Sequence, residues 1–453
     1  MNHSLKDSVT QFLNTHLNPD KPVLLGFSGG PDSLALLHLL LECKQQKPLQ
    51  LALAHVDHGW REESAAEAQQ LHTLAVQLNI PFHLKTLNPK KLEGNLEAAC
   101  REERLKFFKE LAERHQYQAV ILAHHADDQA ETVLKRVFEG ADLSCMGGLK
   151  AKSEIYGLPI WRPLLNIPKN TIVTWLEKQG HIAITDKTNL DAKFLRGRCR
   201  TQIIPYLNET FGKEIAGNLC HLGAEAQELT HYLASRISLY LARVEVGGMG
   251  TFLDLSHDCP QEPVELKYLL RQLMHQEGGT PSREVVEVAC GLILSGKSGR
   301  YITVGKRTIH LDRKRIFIEH QQVEQALPPR LLLQEGAHHY GPWQLTVVMK
   351  EKSEVSQSLG WKSAWYGRLE AFFPVDTYHL GPAVMHAPYP GNQSSISKWW
   401  TNEKAPTFLR QRVPVIWLGD RIYHEFLTDR TVGQRFAESN LPKHWMQVNL
   451  KYD

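Results

Sequence analysis

The sequence predicts an α/β protein whose N-terminal part is a doubly wound parallel sheet. Four apolar runs typical of buried strands lie at 23–27, 49–56, 81–87 and 119–125. Segments with the apolar spacing of helices separate these runs, and a further helical pattern follows at 128–140. Continuous apolar strands that alternate with helices indicate a parallel sheet covered on both faces.

Two further domains are expected after this sheet, because 453 residues exceed one ordinary core. A mostly helical segment runs from about 215 to 295 and closes with a hairpin-like piece at 300–320. The stretch QQVEQALPPR is typical of a linker, and 331–453 combines Trp, Pro and short strand-like runs. We therefore expect domains at 1–215, 216–325 (mainly helical) and 331–453 (small and α+β).

The composition is that of a globular protein with 42% hydrophobic and 22% charged residues. The net charge of +3 neither requires nor excludes a nucleic-acid partner. Seven scattered cysteines without a CxxC pair indicate reduced thiols. The N-terminus lacks the features of a signal peptide, and no apolar run reaches the roughly 18 residues of a membrane span. These features predict a cytoplasmic protein with no membrane association.

The stretch SGGPDS, 28–33, lies between the first strand and the first helix of the predicted sheet. Ligands bind at the carboxyl ends of strands in such sheets, where glycines and free N–H groups accommodate a phosphate. The carboxylate of Asp32 would repel that phosphate unless Mg²⁺ or a protonated group lay between them. The structural alternative is a tight turn in which Asp32 caps the helix.

A second phosphate-loop pattern, GLILSGKS at 291–298, matches GxxxxGK[ST] in spacing only. A helical run precedes it and a strand-like run follows it, which is the reverse of the order that a phosphate loop requires. We interpret it as a helix C-terminus capped by Gly296.

Motifs that follow one another through 20–205 resemble a known family. SGGPDS fits the SGGxDS loop of the PP-loop ATP pyrophosphatases, which cleave ATP to AMP and pyrophosphate. Within that group the sequence resembles the bacterial tRNA(Ile)-lysidine synthetases, and 395–420 is similar to their C-terminal domain. The motifs that carry this resemblance are AHVDHGWREES (54–64), NLEAACREERLKFF (95–108), AHHADDQAET (123–132), RPLL (162–165) and TDKTNLDAKFLRGRCR (185–200).

The resemblance implies a fold of the adenine-nucleotide alpha-hydrolase type and a specific reaction. ATP would adenylate the C2 oxygen of cytidine 34 in the CAU anticodon of tRNA(Ile), and pyrophosphate would leave. The ε-amine of free L-lysine would then displace AMP, which changes codon reading from AUG to AUA. It also makes 1–215 the catalytic domain and assigns tRNA binding to 216–325 and 331–453. A homodimer is compatible with the sequence, which does not define the oligomeric state.

The same resemblance supplies the candidate site. The pyrophosphate end of ATP would bind the loop, with Mg²⁺ bridging Asp32 and phosphate, and the nucleoside would lie near the end of the second strand. Those binding residues are Ser28, Gly29, Gly30, Pro31, Asp32 and Ser33 in the loop, and His55, Asp57 and His58 on the strand.

Asp128 and Glu131 are three residues apart on one helix, so their carboxylates share a face suited to a lysine ammonium. An acidic first helical turn is the alternative. Arg101 and Arg104 share a helix face and could stabilise the α-phosphate or hold the tRNA backbone, although their spacing alone favours a solvated basic stripe. Arg196 begins a basic segment with Arg198 and Arg200 that is suited to phosphate contact, or else is a surface loop.

Two departures and two other functions accompany this hypothesis. Gly197 stands where the family usually has Asn. The family's basic stretch early in the C-terminal domain is poorly matched at 378–393. The basic residues that remain there and could contact tRNA are Lys398, Lys404, Arg410 and Arg412. Another PP-loop enzyme, such as a tRNA thiolase or an amidating ligase, would usually need paired cysteines or a glutaminase domain. A non-catalytic, ATP-sensing tRNA-binding protein is the remaining alternative.

Overall fold

A computed structural model describes residues 5–59, 63–88, 94, 96–183, 195–320, 326–351, 358–384, 396–431 and 444–452. The chain forms two compact units, Met1–His231 and Tyr232–Asp453. The expected division into three domains remains a prediction. Among the described helices, none combines the length and apolarity that a bilayer crossing requires.

The first unit is built on a six-stranded sheet in the order β3-β2-β1-β4-β6-β5. All neighbouring strands are parallel except β5 and β6, which are antiparallel. Its strands are β1 Val23–Gly26, β2 Leu51–Asp57, β3 Phe82–Thr86, β4 Val120–Ile121, β5 Lys152–Ile155 and β6 Leu158–Trp161. Its helices are α1 Leu5–His16, α2 Pro31–Lys44, α3 Ser64–Gln77, α4 Leu96–His115, α5 Ala126–Phe138, α6 Lys169–Lys178, α7 Leu195–Arg198, α8 Ile204–Phe211 and the first part of α9 Ile215–Leu241.

Side chains of β1 alternate between two cores, one on each face of the sheet. Val23 and Leu25 are buried with residues of α1, α2 and α6, whereas Leu24 is buried with Phe108 and its neighbours on α4. Both faces of the sheet are therefore covered. This arrangement confirms the predicted doubly wound α/β class. The four predicted runs contain β1, β3 and β4, and β2 extends one residue beyond its run, to Asp57.

The hairpin of β5 and β6 is an element that the sequence analysis did not predict. Tyr156 and Gly157 both have positive φ, 54° and 78°, as a tight two-residue hairpin turn requires. The hairpin adds an antiparallel edge and ends at Trp161, directly before Arg162. It therefore delivers a buried arginine to the sheet edge that carries the candidate site.

The second unit contains helices and three sheets, with a continuous apolar core that joins strands from 249–450. The segment expected to be mostly helical holds α9, α10 Pro263–Gln276 and α11 Arg283–Ser295 and also a sheet in the order β7-β8-β11-β10-β9. That sheet consists of β7 Glu245–Val246, β8 Gly250–Asp254, β9 Arg300–Val304, β10 Arg307–Asp312 and β11 Arg315–Glu319.

The C-terminal part has the α+β character expected of it. Its sheets have the orders β12-β16-β17-β18-β19 and β13-β14-β20-β15. The strands are β12 Leu331–Leu332, β13 Gly336–Tyr340, β14 Trp343–Lys350, β15 Arg368–Pro374, β16 Tyr378–Gly381, β17 Val415–Leu418, β18 Arg421–Glu425, β19 Arg430–Thr431 and β20 Trp445–Tyr452, and the helices are α12 Trp361–Trp365 and α13 Ile396–Asn402.

The second phosphate-loop pattern lies at the end of α11, as the order of its flanking elements indicated. Gly296 follows the last helical residue with φ 60°, a left-handed cap, and β9 begins at Arg300. The pattern therefore terminates a helix and does not open one.

Candidate active site

The SGGPDS loop joins β1 to α2 at the carboxyl edge of the parallel sheet. Gly29 has φ 79°, a conformation that favours glycine, and Pro31 occupies the first turn of α2. The Ser33 hydroxyl donates to the Gly30 carbonyl (3.0 Å) and lies 3.1 Å from the Ser28 hydroxyl. Asp32 is the second residue of α2 and caps no N–H group of its helix, so the capping alternative does not describe it.

A cavity of about 180 Å³ opens beside this loop at the ends of β1, β2 and β4. It brings together six of the predicted site residues, namely Ser28, Asp32, Ser33, His55, His58 and Arg104. The lining residues are Gly26, Phe27, Ser28, Asp32, Ser33, Ala54, His55, Val56, His58, Arg104, Phe108, Leu122, Ala123 and His124.

Asp32 lies among cations supplied by two other elements. Its Oδ2 is 3.5 Å from Nε2 of His125, the N-cap of α5, and 3.6 Å from Nζ of Lys169, the first residue of α6. Asp127 completes the cluster, since its Oδ2 is 3.5 Å from His125 Nδ1 and accepts a hydrogen bond from the Lys169 backbone N–H (2.9 Å). The loop, α5 and α6 are thus joined at one point.

The charges of this cluster are mutually stabilised. Burial disfavours the imidazolium of His125, but the nearby carboxylates of Asp127, Asp32 and Asp128 raise its pKa to about 9. Burial likewise opposes ionisation of Asp32, yet His125, Lys169 and Arg200 hold the pKa of Asp32 below its usual value. The protonated group that the sequence required beside Asp32, as an alternative to Mg²⁺, is therefore present.

A divalent cation also fits this position. Asp32 Oδ1 is buried without a hydrogen-bond partner among the described residues. Within that same part of the chain, no three His, Cys, Asp or Glu side chains form a set that could hold a metal ion. A cation at Asp32 would therefore take its other ligands from the phosphates and water, as Mg²⁺ commonly does.

The predicted carboxylate pair is in place on the first turns of α5. Arg200 Nε donates to Glu131 Oε1 (2.8 Å), and its terminal nitrogen donates to Asp128 Oδ1 (3.3 Å). Burial and the charge of Asp128 raise the pKa of Glu131, which the Arg200 charge opposes. Arg200 lies in a π-helical stretch, Cys199–Ile203, an irregularity that is frequent at functional sites.

The three predicted catalytic arginines differ in their surroundings. Arg104 lines the cavity, and its buried Nε has no hydrogen-bond partner among the described residues. Burial, together with the charges of Arg101 and Arg196, lowers the pKa of Arg104 to about 10. Arg101 is exposed and Arg196 is half-buried. Like charges gathered around a cavity favour an anionic ligand.

The predicted binding residue Asp57 is buried but does not line the cavity. Its Oδ1 accepts a hydrogen bond from the Gly59 N–H (2.8 Å), which fixes the turn after β2. His55, on the same strand, contributes to the lining and donates from Nδ1 to the Phe27 carbonyl (2.8 Å). Asp57 therefore stabilises the turn at the end of β2.

Sequence analysis assigned no role to Lys169 or Arg162, which the structure brings to the site. Arg162 is 3% exposed and donates from Nε to His124 Nδ1 (3.1 Å). Lys169 opens a helix, where a cation opposes the helix dipole, so its position in the sequence already indicated a carboxylate partner.

Two of the four basic residues named in the C-terminal domain have partners within the protein. Arg410 is 7% exposed and donates to the Ala405 carbonyl (2.9 Å). Arg412 forms an ion pair with Glu319. The poorly matched stretch 378–393 lies partly outside the described residues, as do 184–194 of the last catalytic motif.

Comparison with known proteins agrees with this geometry. The sequence model of a family described as "PP-loop domain" matches residues 1–207. A tRNA(Ile)-lysidine synthase from Protochlamydia amoebophila is 38% identical over 446 residues, 98% of this chain and 96% of the relative. One from Chlamydia trachomatis serovar L2 is 35% identical over 306 residues, 67% of this chain and 94% of the relative.

Among solved structures, the U34-tRNA thiolase NcsA from Methanococcus maripaludis aligns with 49% of this chain and 78% of its own, at 19% identity and a TM-score of 0.42. The two tRNA(Ile)-lysidine synthases confirm the resemblance that the motifs indicated. On that evidence, the chain belongs to the tRNA(Ile)-lysidine synthase family.

Proposed function

We propose that this chain is an ATP-dependent ligase that joins the ε-amine of L-lysine to C2 of cytidine 34 in tRNA(Ile) with a CAU anticodon. The main supporting observation is the 38% identity to a tRNA(Ile)-lysidine synthase, which extends over 98% of the chain. The cavity adds support, because its serine hydroxyls, its helix N-terminus and Arg104 are suited to a nucleotide phosphate.

ATP would bind with its phosphates on the Ser28–Ser33 loop and its nucleoside toward the end of β2. Arg104 offers its unpartnered Nε to the α-phosphoryl oxygens, where charge develops during adenylation of the cytidine. Mg²⁺, held by Asp32, would neutralise the phosphates. Lys169 and the protonated His125 lie beside Asp32 and suit the leaving pyrophosphate.

The lysine ammonium would bind at Asp128 and Glu131. Glu131 Oε2 is buried without a hydrogen-bond partner among the described residues, so one acceptor remains beside Arg200. The amine must lose a proton before it attacks C2. A carboxylate whose pKa is raised toward neutrality is better matched to accept that proton.

The remaining assignments complete the proposal. The domains 216–325 and 331–453 would hold the tRNA, with Lys398 and Lys404 as candidate contacts. The protein would act in the cytoplasm, and a homodimer stays compatible with the sequence.

The deciding experiment uses purified protein, ATP, Mg²⁺, radiolabelled lysine and two CAU-anticodon transcripts, the isoleucine and the methionine tRNA. We expect ATP-dependent incorporation of lysine into the isoleucine tRNA alone. Cleavage of ATP to AMP without incorporation would contradict the proposed acceptor and nucleophile. ATP that binds without any cleavage, with tRNA and lysine present, would favour the non-catalytic alternative.

A further inference from the structure

The side chain of His124 meets the cavity on one side and Arg162 on the other. Its Nδ1 lies 3.1 Å from Nε of Arg162, and the imidazole is among the groups that line the cavity. Within the described part of the chain, Nδ1 is the ring nitrogen that has a protein hydrogen-bond partner. The second ring nitrogen is therefore the one available to a ligand.

This contact determines where the imidazole carries its proton. A guanidinium has donors only, so Nδ1 of His124 must accept the hydrogen bond from Arg162. A neutral imidazole that accepts at Nδ1 carries its hydrogen on Nε2. His124 consequently offers an N–H donor at the nitrogen that Arg162 leaves open.

Arg162 cannot easily turn away from this contact. One terminal guanidinium nitrogen of Arg162 donates to the Lys150 carbonyl (2.8 Å), just before β5, and to the Ser153 hydroxyl (2.9 Å) on β5. These bonds hold a buried side chain in one orientation. The orientation of the His124 ring is therefore set from a hairpin region, 150–162, that contributes no residue to the cavity lining.

The charges around His124 keep the ring neutral. Burial lowers the pKa of His124 to about 3, the carboxylate of Asp128 opposes this, and the cations Arg162, Arg104 and Arg196 add to it. A neutral donor does not give its proton away at the phosphate. It can stabilise negative charge there throughout the reaction.

We propose that Arg162 is a positioning residue that fixes His124 as a neutral Nε2–H donor to an oxygen of the bound nucleotide. The inference rests on the proposed function for the identity of that nucleotide, since adenylation is the step in which charge develops on a phosphoryl oxygen. The tautomer itself follows from the contact between the two side chains.

The first test measures the tautomer in the protein without substrates. Histidine-selective ¹⁵N labelling with long-range ¹⁵N–¹H correlation separates the neutral tautomers from each other and from the imidazolium. The chain has 23 histidines, so the spectrum of His124→Phe identifies the His124 signals by their absence. We expect the Nε2–H tautomer without titration between pH 6 and 8. An Nδ1–H tautomer or a charged ring in the wild-type protein would overturn the proposal, whatever the variants do.

The second test is a double-mutant cycle on steady-state kinetics. His124→Phe should lower kcat by about a hundredfold and change the KM for ATP far less. Arg162→Met should lower kcat by about tenfold or more, with partial recovery in Arg162→Lys, which retains a donor. In the His124→Phe background, Arg162→Met should cost less than about twofold, because Arg162 acts through His124. A full, additive loss in that background would mean that Arg162 only supports the fold.

Glu154→Gln is the matched control, because Glu154 is exposed on the same hairpin and is not one of the residues that hold Arg162. We expect it to keep the tautomer and kcat close to wild type. Failure of the proposed function would be seen separately, as no lysine incorporation by the wild-type protein. The tautomer measurement stands independently of that result.

Discussion

Two adjacent histidines before α5 differ in protonation state, one neutral and one positively charged. His124 is held neutral by burial and nearby cations, whereas His125 is held protonated by Asp127 and Asp32. When the surroundings of two neighbouring groups shift their pKa values apart, one often acts as a neutral hydrogen-bond donor at an active site and the other as a charged group. The dipeptide HH alone gives no indication of this division, because it depends on side chains from α2 and from beyond β6.

Asp32→Ala should abolish pyrophosphate release while tRNA affinity stays within about twofold of wild type. The carboxylate joins Lys169 and His125 at the loop, so its loss removes both the metal ligand and the partner of two cations. Pyrophosphate release and tRNA binding are measured on the same preparation, with the exposed Asp20→Ala as control. Full activity in Asp32→Ala would contradict the proposed role of the carboxylate.

Glu131→Gln should raise the KM for lysine about tenfold and leave the KM for ATP within about twofold, because it weakens the site for an ammonium. Initial rates at varied lysine and varied ATP separate the two constants. Glu139→Gln, at the far end of α5, is the control and should change neither. An unchanged KM for lysine in Glu131→Gln would make Glu131 a structural residue that pairs with Arg200.

At the scale of elements, strands were easier to predict than the contacts between them. The runs that became β1, β2 and β4 are largely apolar on both faces, a property that is local to the sequence, whereas β3 is only partly buried. Lys169 is 137 positions from its partner Asp32, and Arg162 is 38 positions from its partner His124, so only the packing of α6 and the β5–β6 hairpin brings each pair together. The loop and the carboxylate pair could be predicted because each lies within six residues.

Gln129 connects helix α5 with the loop that follows it. Its amide donates to the Gly147 carbonyl (3.1 Å) and accepts from the Leu149 N–H (2.6 Å). Gln227 on α9 also donates to the Leu149 carbonyl (2.9 Å). The helix that carries the carboxylate pair is thus held through a loop that also binds α9.

Gly148→Ala should destabilise the first unit by about 1–3 kcal/mol more than Gly180→Ala. Both glycines have positive φ, 64° and 73°, so both variants bear similar backbone strain. A Cβ at 148 would lie 2.4 Å from Gln129 Oε1, whereas one at 180 would meet nothing within 4 Å. Urea unfolding followed by circular dichroism measures the difference. Equal losses of stability in the two variants would show that the Gln129 side chain moves aside for the new Cβ without reducing stability.

At the scale of the whole molecule, two buried ionisable groups on β18 make stability depend on pH. Burial raises the pKa of Glu425 to about 7, although its carboxylate accepts hydrogen bonds from Trp400 Nε1 (2.6 Å) and the Thr428 N–H (3.1 Å). Burial lowers the pKa of the adjacent His424 to about 3. Both groups are therefore neutral in the folded protein over a wide pH range.

Their contributions have opposite signs. The stability that Glu425 contributes is fully present below about pH 4.5 and is lost as the pH rises toward 7. The stability that His424 contributes is present above about pH 6.5 and is lost as the pH falls toward 3. Between pH 4.5 and 6.5 the two slopes oppose each other, so this pair predicts a nearly flat stability there.

Glu425→Gln should therefore gain stability relative to wild type by up to about 3 kcal/mol as the pH is raised from 4.5 to 7. The amide cannot ionise, so only the His424 slope remains. Urea unfolding followed by tryptophan fluorescence at each pH gives the midpoints of both proteins, and hence the pH dependence of their difference in stability. Glu403→Gln, at an exposed ion pair with Arg430, is the control. A difference between Glu425→Gln and wild type that is independent of pH would contradict the buried neutral carboxyl.

The contact of Arg200 with Asp128 and Glu131 has a consequence for the choice of denaturant. Arg200 pairs with both carboxylates, Asp128 Oδ2 also lies 3.5 Å from Nε2 of His125, and Glu131 Oε2 has no hydrogen-bond partner among the described residues. The free guanidinium ion has the head group of Arg200, so it can compete both for the open position beside Glu131 and for the place of Arg200 itself. Guanidinium chloride at concentrations far below those that unfold the protein should therefore inhibit lysine transfer competitively with respect to lysine. Sodium chloride at the same concentration should inhibit only weakly. Urea, which carries no charge, leaves this pair intact until the fold around it is lost.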